Sequence, residues 1–280
     1  MIRDISTAED LQRAMQAKFP PSEEQWRAIT APLSPVVVIA GAGSGKTTLM
    51  AARVVYLVLT GQVLPEEVLG LTFTTKAAAE LRQRIRTALT AAGALELKSG
   101  PDEEETLEPT VATYNAYAAA LLTDHGLRIG HEPDTRVITD AARYQLGARA
   151  VDRYDGPVEK LSDHPPTVIQ NLLTLDGAMA EHLVTPERVL EFDAAERDAF
   201  QRAHDEELAG KARKTYLQAP QKAIDAIDRR GELLGLVASY RRLKADLGLM
   251  DFSDQIALAA RLAEEQAEVG GLERDRFKVV

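Results

Sequence analysis

The sequence predicts an α/β fold: a parallel sheet domain carrying a phosphate-binding loop, with a mostly helical subdomain inserted into it. Three observations predict this. The stretch "PVVVIAGAGSGKTTLM", Pro35 to Met50, passes from an apolar, β-rich run through a glycine-rich turn into a helix beginning near Lys46. Strand and helix patterns then alternate at close spacing, which calls for right-handed βαβ units and parallel pairing. From about Leu127 to Arg230 the chain reads as helices separated by proline-marked breaks, with no buried strand of comparable strength.

Taken in order, "TAEDLQRAMQAKF" has Thr7 as a cap and apolar positions at helical spacing. "PSEEQWRAI" starts a second helix behind Ser22, and Pro32 and Pro35 end it. Val36 to Ala40 is continuously apolar, the pattern of a strand buried on both faces of a parallel sheet. The helix "KTTLMAARVVYLVLTG" closes at Gly61. "EEVLGLTFT" supplies a second strand, and "TKAAAELRQRIRTALTAAG" a helix that turns Leu81, Ile85 and Leu89 inward. The acidic stretch "LKSGPDEEETLEP" reads as a solvated loop. A third strand and helix follow in "EPTVATYNAYAAALLTDHG", and the closing "RFKVV" opens another strand.

Composition narrows the function classes. Apolar residues at 45% and charged residues at 27% are ordinary for a folded globular chain. No leader-like or membrane-length apolar run occurs, so a cytoplasmic address without membrane partners is expected. The absence of cysteine excludes disulfides, thiolate zinc sites and cysteine nucleophiles. His125, His131, His164, His182 and His204 are scattered without an i,i+4 pair, so they suggest no metal site. The net charge of −10 argues against a protein that coats nucleic acid with its whole surface, yet it leaves a local basic groove open.

Gly41, Gly45, Lys46 and Thr47 satisfy G-x-x-x-x-G-K-[ST], with Ala42, Gly43 and Ser44 between them and Thr48 after them. Glycines let backbone N–H groups turn onto phosphate oxygens, and the helix N-terminus adds its positive end. Lys46 reaches the outer phosphates, and the Thr47 hydroxyl ligates Mg²⁺ held through ATP. Hydrolysis also needs a carboxylate at the end of a neighbouring strand. "VITDAA" and "LLTLDG" offer Asp140 and Asp176, but both lie in the helical region, where Asp140 reads as a helix cap.

The blocks "PSEEQWRAI", "GAGSGKTT", "LTFTTKAAAELRQRI", "TVATYNAYAAALL" and "LMDFSDQI", in this order, resemble the first motor domain of UvrD/Rep/PcrA-type superfamily 1 DNA helicases. "LMAARVVYLVLTG", "VLGLTF" and "TYNAYAAALLTDHGLRIGHEPD" look closest to AdnB-type motor subunits of helicase–nucleases. The resemblance implies a RecA-like P-loop NTPase fold that uses ATP and Mg²⁺. It implies that Gln25 reads adenine, although Ser22 and Gln25 also form a capping box. It places Phe73, Thr74, Lys76, Thr113, Tyr114 and Asn115 against single-stranded DNA, with ordinary core packing as the other reading of Phe73. Arg53 matches the family and is implied to support the loop. Asn115, Thr75 and Thr48 depart from it, standing for a histidine, an asparagine or arginine, and an arginine respectively.

Lys76, Arg82, Arg84 and Arg86 crowd one helix beside the expected DNA site, and read as either a DNA-facing patch or a solvated surface. Lys211, Arg213 and Lys214 form a second basic cluster in the helical insert. The expected organisation is a first part of motor domain 1A over 1–125, a helical insert 1B over 126–235, and a return to 1A over 236–280 that ends before the acidic motif. The resemblance thus implies the N-terminal portion of an ATP-driven translocase on single-stranded DNA, acting in repair or end processing. Its partners would be the remainder of the helicase, with a second motor domain, and in an AdnB-type assembly a partner subunit. By itself the chain is expected not to turn over ATP. A small-molecule or nucleoside kinase and a non-catalytic nucleotide-binding module share the same phosphate motif and are the alternatives.

Overall fold

The computed structural model describes residues 3–95, 108–132, 134–210 and 213–280. The expected acidic loop lies outside the described residues except for Glu108 and Pro109, as do Lys211 and Pro133. The chain is α/β and mostly helical, with small parallel sheets. It divides into two compact units, Met1–Ala120 with Gln266–Val280, and Leu121–Glu265.

The first unit begins with α1 (Ala8–Met15) and α2 (Glu23–Ile29), each opened by a capping box, from Thr7 to Asp10 and from Ser22 to Gln25. α3 (Lys46–Leu59) leaves the glycine-rich loop and ends at Thr60, after which Gly61 turns the chain in the left-handed region. β1 (Leu69–Thr72) pairs in parallel with β2 (Thr110–Thr113), and α4 (Thr75–Ala91) makes the crossover between them. Leu81, Ile85 and Leu89 of α4 are buried as their spacing predicts, joining Leu57 and Val55 of α3 and Leu11 of α1 in one core. Burial of each such leucine contributes roughly 1.5–3 kcal/mol. α11 (Ala267–Arg276) precedes a parallel bridge from Val279 to Val68, where the Leu69 N–H donates to the Val279 carbonyl at 2.8 Å.

The first expected strand is corrected. Val36 to Ala40 forms no strand, and Val37 and Ile39 are 86% and 95% exposed. A strand exists only as half of a hydrogen-bonded pair. Among the described residues no segment offers Val36–Ala40 a backbone ladder, so its β-prone composition has nothing to act on.

The second unit takes in the end of α5 (Tyr114–His125), α6 (Asp140–Asp152), α7 (Pro165–Glu181), α8 (Pro186–Ala209), α9 (Lys214–Asp246) and α10 (Phe252–Glu265). A short parallel pair, β3 (Arg136–Val137) with β4 (Leu249–Met250), is its only sheet among the described residues. Leu146, Leu172, Val237 and Tyr240 centre its core. Asp140 is not the cap of α6: Thr139 holds that position, and Asp140 sits exposed in the first turn. The second unit ends at Glu265: α9 runs unbroken through Val237 to Asp246, and α10 packs on α7. Among the described residues no helix is long and apolar enough to cross a membrane.

Candidate nucleotide and nucleic-acid site

Two glycines of the loop need their lack of a side chain. Gly43 and Gly45 stand at φ of 76° and 82°, the left-handed region that other residues occupy at a cost. The loop closes on itself through the Ser44 hydroxyl, which donates to the Gly41 carbonyl at 2.8 Å. Gly45 caps α3 without a side chain, so no side chain competes for the N–H groups of the first helical turn. Lys46 Nζ donates to the carbonyls of Ala40 and Gly41 at 3.1 and 2.7 Å, and so lies folded over the loop. Ala42 is exposed with the rest of the loop, and Thr47 is half-buried at its foot.

Gln25 joins α2 to this loop. Its Oε1 accepts the Ser22 N–H at 3.0 Å, and its Nε2 donates to the Ser44 carbonyl at 3.2 Å. The capping role and a place beside the phosphate loop therefore coexist. Each amide atom keeps capacity for a further partner, since Nε2 has a second hydrogen and Oε1 a second lone pair.

The arginines of α4 separate into three tasks. Arg82 Nη2 donates to the Val111 carbonyl of β2, and Arg86 pairs with Glu108 at 3.2 Å. Arg84 Nη1 donates to the Thr48 hydroxyl at 3.1 Å, which brings a guanidinium to the residue that follows the phosphate motif. Sequence reasoning misses this, because helical spacing shows which residues share a stripe but not which neighbour the stripe meets. Lys76 stays exposed at the head of α4. Arg53 does not reach the loop; its hydrogen bonds go to carbonyls at the tail of α2 and just beyond it.

A second locus sits at the carboxyl ends of β1 and β2. Phe73 is 87% exposed, which settles against core packing, and its ring lies 5.2 Å from that of Tyr114, tilted by 40°. The hydroxyls of Thr74 and Thr113 cap the helices that follow, accepting the N–H of Ala77 and of Ala116, each at 3.1 Å. A capping hydroxyl uses its oxygen as acceptor and keeps its own hydrogen to donate. Asn115 is half-buried beside them on α5.

Elsewhere the sequence candidates take structural roles. Asp176 is buried within α7, paired with Arg241 at 2.5 Å and with Lys244 at 3.0 Å. The "LMDFSDQI" motif places Asp251 and Asp254 around the same ammonium, at 3.6 and 2.7 Å from Lys244 Nζ, and Arg143 lies 3.0 Å from Asp251. Oxygens of these three aspartates lie within 4.8 Å of one another, and Lys244 is the cation among them. Burial alone would lower the Lys244 pKa, but the three aspartates outweigh it and push it up to about 12. The second basic cluster is partly neutralised: Arg213 is held by Glu207 at 2.9 Å and lies over the Tyr216 ring.

A glycine-rich turn opening a helix beside parallel strands defines the phosphate-loop class of α/β proteins. The family described as UvrD/REP helicase N-terminal domain matches residues 21–280, and the chain belongs to it. A UvrD2 ATP-dependent DNA helicase of Mycobacterium tuberculosis is 28% identical over 262 residues, 91% of this chain and 31% of that protein. A PcrA ATP-dependent DNA helicase of Leuconostoc citreum is 31% identical over 131 residues, 47% of this chain and 16% of its own length. One ATP-dependent helicase/nuclease chain of Pelotomaculum thermopropionicum is 38% identical over 133 residues, 45% of this chain and 10% of its own. The chain thus spans about a third or less of these relatives' length.

Proposed function

We propose that this chain is the ATP- and single-stranded-DNA-binding portion of an ATP-dependent DNA helicase or translocase of repair or DNA end processing. One observation carries the nucleotide half of this reading: two separate segments converge on the phosphate loop and the helix it opens. Gln25 of α2 bonds to Ser44, Arg84 of α4 bonds to Thr48, and α3 itself begins at Lys46. On this reading the first unit is a RecA-like motor domain and the second its helical insert. Membership of the helicase family makes a small-molecule kinase the weaker alternative.

Gly41 to Thr48 would hold the phosphates, with Lys46 leaving its loop carbonyls for phosphate oxygens. The Gln25 amide offers one donor and one acceptor, the pattern that complements adenine N7 and N6. Thr47 suits the ion's shell, since a hydroxyl at the foot of an open, glycine-lined loop is a hard oxygen donor within reach of bound phosphate. Bound Mg²⁺ neutralises charge on the phosphate oxygens. At the strand ends, Phe73 and Tyr114 would stack bases while Thr74, Thr113, Lys76 and Asn115 meet the backbone. The remainder of the motor, with its second domain, is the partner this reading requires. A second motor chain of the AdnB-type assembly, and an inability of this chain by itself to turn over ATP, belong to the same proposal.

Calorimetric titration of ATP·Mg²⁺ into the chain and into Lys46→Ala tests the grip. Saturable binding that Lys46→Ala weakens at least tenfold supports it, and equal affinities refute it. Single-stranded DNA titrated into the same chain tests the other half.

A further inference from the structure

The helix that carries Gln25 is seven residues long, and a helix of that length has little stability of its own in water. Its position is imposed from outside. At its head the Ser22 capping box ties down the first turn. In its middle the Trp26 ring meets Tyr56 of α3 edge to face, with centroids 5.7 Å apart, and Ile29 is buried against the core. At its tail the contact is a set of charge-assisted hydrogen bonds. Arg53 Nη1 donates to the carbonyls of Ala28, Ile29 and Ala31 at 3.1, 3.0 and 2.9 Å, and Nη2 donates to that of Pro32 at 3.2 Å.

Two of these four carbonyls belong to the last turn of α2 and two to the chain just beyond it. The last turn of a helix leaves carbonyls without intrahelical partners, and the negative end of the helix dipole favours a cation there. A planar guanidinium with five N–H groups serves several such oxygens at once, which an ammonium on a flexible stem does less well. Burial lowers the Arg53 pKa, yet the group stays charged throughout the working range.

The geometry has a consequence for the nucleotide. Arg53 belongs to α3, the helix whose first turn holds Lys46 and Thr47. Gln25 belongs to α2, and its amide already touches the loop at Ser44. The distance from the phosphate-gripping end of α3 to the Gln25 amide is therefore set by how α2 is fastened to α3, and Arg53 fastens its tail. We propose that Arg53 is a positioning residue for base recognition: by clamping the Ala28–Pro32 carbonyls it holds Gln25 in register with the phosphate loop, and so sets the preference for adenine over guanine. Guanine presents two acceptors, O6 and N7, where adenine presents a donor and an acceptor. A correctly placed amide discriminates between the two, while a displaced one contacts either poorly. This inference rests on the reading of Gln25 as the base-facing group.

The test measures Kd for ATP·Mg²⁺ and for GTP·Mg²⁺ on the whole chain, with melting temperatures, for the parent, Gln25→Ala, Arg53→Met, Arg53→Lys and the Gln25→Ala/Arg53→Met pair. The expected result is that Gln25→Ala and Arg53→Met each weaken ATP about tenfold, near the value of one good hydrogen bond. GTP binding changes by less than about twofold, so each substitution removes the ATP preference, and the pair loses no more preference than Gln25→Ala alone. Arg53→Lys keeps the charge with fewer donors and falls between, and it carries the test if Arg53→Met fails to fold. A lower melting temperature with the parent's ATP:GTP ratio intact in both Arg53 variants overturns the inference while leaving Gln25 as the base reader. An unchanged ratio in Gln25→Ala removes the base-reading role itself, and the inference falls with it.

Discussion

The rings of Phe73, at the end of β1, and Tyr114, at the head of α5, stand 5.2 Å apart at the edge of the first unit, with Phe73 almost fully exposed. On the proposed reading this exposed ring is a platform on which a base stacks. Phe73→Ala is expected to weaken binding of single-stranded DNA by roughly 1–3 kcal/mol, equally for thymine-rich and adenine-rich strands. The melting temperature should hold, since nothing in the core is lost. Fluorescence anisotropy with both strand types checks it, and undiminished affinity would remove Phe73 from the site.

Arg84 distinguishes two faces of one helix. If its guanidinium serves the nucleotide by way of Thr48, Arg84→Ala weakens ATP·Mg²⁺ about fivefold to tenfold and leaves single-stranded DNA affinity near the parent's. If instead it belongs to a basic DNA groove, DNA affinity falls and its salt dependence becomes shallower. Paired titrations of ATP and of DNA at two salt concentrations decide between these outcomes.

What is legible in the sequence follows from which forces are local. Caps at Thr7 and Ser22, the inward face Leu81–Ile85–Leu89, and the glycine loop all depend on residues within one or two turns of each other, and each stands as the pattern predicts. Val36–Ala40 fails for the opposite reason: strand formation depends on a partner segment, which composition does not reveal. A helical stripe or a family match singles out Arg84 and Arg53, whereas their acceptors at Thr48 and at Ala28–Pro32 belong to other segments. Asp176 stands out in the sequence only as an acid after an apolar run. Its role depends on Lys244 and Arg241, which arrive from a distant helix.

The second unit should be sensitive to alkali for a specific reason. Folding raises Lys244 from 10.5 and Tyr240 from 10.0, each to about 12, through the aspartates around the lysine and through burial of the phenol. Both groups lose their protons in the unfolded chain first. The stability they contribute is thus complete below about pH 10 and lost as the pH climbs to 12. Tyr240→Phe removes one of the two titrations, so its melting temperature should fall less steeply between pH 10 and 12 than the parent's. Thermal melts across that range provide the comparison, and parallel curves would refute the assignment.

Deleting the lysine itself gives a sharper test of the same cluster. Lys244 Nζ touches Asp176 and Asp254 at 3.0 and 2.7 Å and lies 3.6 Å from Asp251, while Arg241 also pairs with Asp176 and Arg143 with Asp251. Removing one partner of a buried ion pair typically costs about 3–5 kcal/mol, and here Asp254 loses its ion-pair partner while Asp176 and Asp251 keep an arginine each. Lys244→Ala should therefore melt well below the parent at neutral pH. The melting point should recover in part on acidification, as protonation relieves the repulsion. The vacated space is bounded by three carboxylates whose oxygens lie within 4.8 Å, a hard oxygen set suited to a divalent cation. Millimolar Ca²⁺ should then raise the melting temperature of Lys244→Ala and leave the parent unchanged, since the parent's ammonium already fills the site. Equal responses in both proteins, or none to either acid or Ca²⁺, would show that Lys244 contributes packing rather than charge.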